Sequence, residues 1–147
     1  MSSRARKLSS IDLLVPELFA SEGGIQVYSR NLIRALQAQR PELRLRVFIR
    51  NDRPHQLPPG GWPGISFHAA SGSTLRMAWA LLAATMRRRS DLLLSTHPNF
   101  SPLQLLHHRL TGIPSWASAH GIDVWALAPG PTAWSLARLQ ALKLVGS

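Results

Sequence analysis

Two histidine-bearing segments carry the strongest chemical signal in the sequence. His97-Pro98-Asn99 follows the apolar run Asp91-Leu92-Leu93-Leu94-Ser95, and His120-Gly121-Ile122-Asp123 follows the run Pro114 to Ala119. A histidine in such a place can donate a hydrogen bond, or act as acid or base near neutral pH; it can also be a plain structural loop histidine. Asp123 can accept hydrogen bonds from ligand hydroxyls or cap a local turn. A third candidate is Gly23-Gly24, preceded by Glu22, after the run Ile11 to Val15 and at the head of a helical pattern. Glycines there let a backbone approach a phosphate, and the helix N-terminus offers unpaired N–H groups and a partial positive charge. The same pair also serves a tight strand-to-helix turn that binds nothing. Neither a G-x-G-x-x-G spacing nor a Gly-Lys-Ser/Thr triplet is present. His107-His108 has no cysteine or carboxylate at ligand spacing, so no metal site is expected.

Those candidates need a scaffold that brings them to one edge. Ile11 to Val15 reads as a buried parallel strand ended by Pro16. Ile25 to Gln39 is helical, with Ile25, Tyr28, Leu32, Ala35 and Leu36 on one face, and Pro41 stops it. Leu43 to Ile49 alternates aliphatic residues with arginine, which predicts a second strand nearer the sheet's edge. Residues 52–64 have loop composition. Ile65 to His68 is a third strand, and Thr74 to Arg89 a helix capped by Ser73 or Thr74. Its Trp79, Leu82 and Met86 form a stripe read as core, with Arg87 to Arg89 as a solvated helix end; a membrane-surface helix is the other reading. Asp91 to Ser95 is the fourth strand. Ser101-Pro102 predicts a cap and N1 proline for a helix to about Leu110, followed by a fifth strand over Pro114 to Ala119, a helix around Thr132 to Gln140, and a sixth strand over Leu142 to Val145. Strands alternating with helices predict an α/β, Rossmann-like parallel sheet with helices on both faces. In that fold the glycine pair and both histidine loops share the C-terminal edge of the sheet, where ligands bind.

Composition sets outer bounds. With 147 residues the chain makes one domain, placed at 10–147, after a basic, flexible N-terminus at 1–9. There is no cysteine, hence no disulfide framework or thiolate site. No apolar run approaches a membrane span, and the N-terminal apolar stretch is broken by Asp12, Pro16 and Glu17, so neither a transmembrane helix nor a signal peptide is expected and the reading is cytoplasmic. A net charge of +10, almost all from arginine, raises affinity for polyanions, including the inner face of a membrane. The arginines are dispersed and no recognition motif accompanies them, so specific nucleic-acid binding is not expected.

The landmarks, taken in order, resemble family 4 glycosyltransferases. Leu14-Val15-Pro16-Glu17-Leu18-Phe19 with Glu22-Gly23-Gly24-Ile25-Gln26-Val27-Tyr28 and Asn31-Leu32 is similar to that family's opening. Asp91 to Leu94 with His97-Pro98, then His120 to Trp125, then Leu142 to Ser147 resemble its later landmarks. The resemblance spans residues 11–147 and implies the N-terminal, acceptor-side half of a GT-B fold that moves a sugar with retention from a nucleotide-sugar co-substrate to a glycan or lipid-linked acceptor. It implies no metal and no other cofactor. Gly23 and Gly24 would face the donor diphosphate, His120 would be the catalytic residue near the reacting sugar carbon, and Asp123, His97, Glu22 and Asn99 would face acceptor or sugar hydroxyls. The family's C-terminal donor-binding domain, with its Glu-x7-Glu segment, has no counterpart in the sequence. The expectation is a chain inactive alone, with that domain supplied in cis or in trans. The alternative expectation is a non-catalytic Rossmann-like module that recruits a partner or docks on a membrane.

Overall fold

A computed structural model describes residues 7–119, 130–138 and 144–146. The chain builds a six-stranded sheet from β1 (Ser10–Val15), β2 (Arg44–Ile49), β3 (Ile65–Ala69), β4 (Leu92–Ser95), β5 (Ser115–Ala119) and β6 (Leu144–Gly146). Every pairing is parallel and the order is β3-β2-β1-β4-β5-β6. Helices α1 (Gly24–Gln39), α2 (Thr74–Arg87), α3 (Ser101–Thr111) and α4 (Pro131–Arg138) complete an α/β, Rossmann-like arrangement. The order reverses between β1 and β4, because α2 carries the chain back across the sheet.

β1 is buried along its whole length, so its period-two pattern feeds two cores. Ile11, Leu13 and Val15 join Leu45, Val47, Ile49 and Ile33 of α1 in one layer. Leu14 joins Phe48, Leu93 and α2's Met77 and Leu81 in the other. Between β2 and β3 no α-helix forms. Trp62 and Phe67 instead pack edge-to-face with Phe19, at centroid distances of 5.5–5.7 Å, and cover the α1 side. α1 buries Ser29 and Ile33 most deeply, so its inward face is rotated from the expected one and Ala35 is exposed.

Three local expectations need correction. β2 is interior, and β3 holds the edge. Its alternation with arginine has another cause: Arg46 sits opposite Asp12 in register and makes a paired contact with it, Nε to Oδ1 at 2.6 Å and Nη2 to Oδ2 at 2.8 Å. Ser90 donates to the same carboxylate at 2.9 Å, and Arg46 also reaches the Ala84 carbonyl at 2.8 Å. The second correction is at α3. Its cap position is Phe100, while Ser101 lies inside the first turn and donates to the Thr132 carbonyl of α4 at 3.1 Å. The third is the α2 stripe. The helix turns Met77, Leu81 and Thr85 inward, leaving Trp79 64% and Met86 80% exposed.

Candidate functional site

The parallel sheet collects the ends of β1, β2, β4 and β5 at one edge, and the segments after β1, β2 and β4 bring polar side chains to it. Asp52, just beyond β2, is fully buried, and its carboxylate accepts from the backbone N–H groups of Leu18 (3.2 Å), Phe19 (2.8 Å) and Ala20 (3.3 Å). It thereby pins the loop that leads from β1 to Gly23. Glu17 in the same loop accepts from Ser21, Gln26 (3.1 Å) and Asn51 (3.2 Å). These hydrogen bonds, that from Ser21 foremost, hold its carboxyl below the ordinary carboxylate range against an opposing effect of burial.

α1 starts from Gly23, whose φ of −173° is ordinary extended backbone, and no side chain caps the first turn. Left-handed geometry therefore does not explain the glycine pair, and crowding bears on Gly23 alone. A Cβ on Gly23 would meet Gln26 Oε1 at 2.6 Å, the movable end of a side chain that also bonds Glu17. A Cβ on Gly24 would meet nothing within 4 Å, so this helix start opens onto free space. α1 then leans on the ends of β4 and β5 through Ser29 to Thr96 (3.1 Å) and Tyr28 to Ser118 (3.1 Å). The glycine pair is thus fixed to the strands that carry the two histidine loops.

After β4, His97 Nδ1 accepts the backbone N–H of Asn99 at 3.1 Å, so the neutral ring carries its proton on Nε2. Beneath it the fully buried Gln104 accepts from Ser95 (3.0 Å) and donates to Ser115 (2.8 Å) and to the Trp116 carbonyl (2.8 Å), tying β4 to β5. Beside His97, on the α2 and α3 side of the switch point, lies a cleft of about 490 Å³ that includes Arg50, Asn51, Thr74 and Asn99 in its lining. Two further histidines sit away from this edge. His107 is buried between α2 and α3, and burial foremost pushes its pKa down. Thr85 Oγ1 donates to the Leu81 carbonyl, so it accepts from His107 Nε2 at 3.0 Å. His68 stacks on Phe48 at 4.8 Å and is likewise shifted down by burial.

The structure therefore gathers Gly23, Gly24, His97 and Asn99 at one sheet edge. Glu22 is exposed beside them and pairs with Arg30 at 2.7 Å. His120 and Asp123 lie outside the described residues, although His120 directly follows Ala119 at the end of β5. Arg50, Asn51, Asp52 and Thr74 are the residues that sequence reasoning passed over. Their signal was positional: Arg50-Asn51-Asp52 directly follows β2, the same placement that singled out His97 after β4. Among the described residues no group of three His, Asp or Glu side chains is placed to hold a metal ion. No helix among them is long and apolar enough to cross a membrane.

Fold and edge together define a Rossmann-like α/β domain with a polar crevice at its topological switch point. The chain matches no known family model, and no curated protein matches it significantly.

Proposed function

We propose that the chain is the acceptor-side, N-terminal domain of a retaining GT-B glycosyltransferase that moves a sugar from a nucleotide-sugar to a glycan or lipid-linked acceptor. The observation that carries the reading is Gly24, at an uncapped helix start with open space around it, beside the ends of β1 and β4. A diphosphate seated there accepts backbone N–H groups and meets the positive end of the helix. The ordered resemblance over residues 11–147 supports the same assignment. In this reading the acceptor oxygen attacks the anomeric carbon from the face that the phosphate leaves. The bond from that carbon to the phosphate oxygen breaks, and the departing phosphate takes the acceptor's proton. His120 lines the cleft near the reacting carbon, and Asp123, His97, Asn99 and Glu22 face hydroxyls. The protein's contribution is positioning and stabilisation of charge. The test is sugar transfer from a panel of nucleotide-sugars with a donor-binding domain supplied, in wild type and in His120→Ala. Transfer that depends on this chain and collapses in the variant is expected; no transfer from any donor overturns the reading.

A second reading has its own observation. Leu75, Trp79, Leu106 and Leu110 are exposed along an apolar groove between α2 and α3, and the adjoining residues 87–89 are all arginine. Asp91 is the sole acidic residue between Arg53 and Gly121, and it is engaged by Ser9 and Ser10 on the far edge. That combination suits docking on an anionic membrane surface. Salt-sensitive sedimentation with phosphatidylserine vesicles, lost in Trp79→Ser with Leu110→Ser, is the expected result. Equal sedimentation with neutral vesicles contradicts it.

A further inference from the structure

The cleft beside His97 holds a cation, Arg50, that no carboxylate among the described residues neutralises. Arg50 is half-buried in its wall, with Nε donating to Thr74 Oγ1 at 2.8 Å and Nη1 to Asn51 Oδ1 at 3.2 Å. Both partners are neutral, and among the described residues no carboxylate pairs with this guanidinium. Among the described residues, none that lines the cleft is acidic. The carboxylate linked most directly to it, Glu17, lies beyond Asn51 and is already engaged by Ser21, Gln26 and Asn51. By contrast Arg30, Arg40 and Arg46 are each paired with a carboxylate, to Glu22, Glu42 and Asp12. Arg50 is thus oriented by two neutral acceptors, which leave guanidinium donors for a carboxylate or phosphate. Around it Asn51, His97 and Asn99 offer polar groups, while Pro102 and Leu103 supply an apolar wall. A volume of about 490 Å³ accommodates a molecule of sugar size.

We propose that this cleft binds an anionic polyol, a sugar bearing a phosphate or a carboxylate, with Arg50 as the counter-ion of the acidic group. Identifying that molecule as the glycosyl acceptor rests on the glycosyltransferase reading; the anion site itself does not.

The experiment is an NMR titration of the full chain with glucose 6-phosphate, glucuronate and glucose at millimolar concentration. Saturable shifts at Arg50 Nε–H and at the side-chain amides of Asn51 and Asn99 are expected with one or both charged probes and not with glucose. The charged probe that binds more tightly distinguishes phosphate from carboxylate. Arg50→Gln is expected to weaken binding about ten- to hundredfold, the range for losing a charge-assisted contact. Arg50→Lys should restore part of it. Arg87→Gln, the same charge change at the far end of α2, should leave it unaltered. Glucose binding as well as the charged probes, shifts that bypass Arg50, or equal losses in Arg50→Gln and Arg87→Gln would each overturn the proposal. The wild-type titration decides even if a variant fails to fold. It contains no nucleotide-sugar and reads no transfer, so an empty cleft leaves the transfer assay to stand alone. A failed transfer assay with a positive titration removes the enzyme reading and keeps the anion site.

Discussion

Replacing Asp52 with Asn tests how the β1-to-α1 loop is held. The side chain is fully buried, and its two oxygens accept from three consecutive backbone N–H groups, those of Leu18, Phe19 and Ala20. Asparagine keeps the shape but removes the charge, and it replaces one acceptor oxygen with an NH2 group. Whichever way the amide is turned, that group confronts at least one N–H of the loop. Hydrogen bonds to a charged acceptor contribute about 1.5–3 kcal/mol, and a buried donor left unpaired costs about 1–3 kcal/mol. One orphaned donor plus weaker bonds to the others gives a destabilisation of about 3 kcal/mol, a large share of the total stability of a domain. For a chain of this size that lowers Tm by about 10 °C. Urea unfolding monitored by tryptophan fluorescence measures the free energy. Amide exchange at Leu18 and Phe19 measures the loop, and both should lose protection before the central strands do. A loss under about 1 kcal/mol with unchanged exchange at those amides would mean that Asp52 does not organise the loop, against the reasoning from buried polar groups.

Three other outcomes follow from the same structure. Arg46→Met strands the buried Asp12 carboxylate and should cost about 3–5 kcal/mol in urea unfolding, whereas Arg46→Met combined with Asp12→Leu should recover most of that loss. His107 and His68 have folded pKa values depressed below the unfolded one, so the unfolded state binds more protons. Their contribution is present above the unfolded value of about 6.5 and is lost as pH falls through the folded values; stability measured from pH 7 downward should decline, less steeply in His107→Gln. Gly24→Ala lies in open space with no positive φ to satisfy, so it should leave Tm unchanged or raise it slightly, while weakening any ligand that needs backbone contact at the start of α1.

Much of the scaffold was legible because its central strands β1 and β4 are largely buried. Leu13-Leu14-Val15 and Leu92-Leu93 read as continuous apolar runs, and proline and glycine punctuate the elements between them. Gly112, at φ 71°, caps α3 just after Thr111, one residue beyond the end expected at about Leu110. The errors arose where a side chain's partner is distant along the chain. Arg46 looked like the solvent face of an edge strand because Asp12, which neutralises it, lies 34 residues away. Trp79 and Met86 looked like core because helical periodicity identifies a stripe without saying which stripe meets the sheet; Met77, Leu81 and Thr85 do so instead. At the candidate site, the order of strand and loop sufficed to bring Gly23, Gly24, His97 and Asn99 to one edge. Arg50 and Asp52 escaped because they begin a stretch rich in proline and glycine, and their roles depend on Thr74 and on the Leu18 to Ala20 backbone.

The proposal turns on whether the C-terminal edge of the sheet, with the start of α1, faces the diphosphate of a nucleotide-sugar held by a donor-binding domain. Backbone-amide chemical-shift mapping of the chain with that domain supplied, at millimolar UDP-glucose and GDP-mannose, decides it. Saturable shifts over Gly23 to Val27 and over Thr96 to Asn99, reduced by Gly24→Ala, are expected. Shifts confined to the arginines at 87–89, or no saturable shifts with either compound, would contradict it.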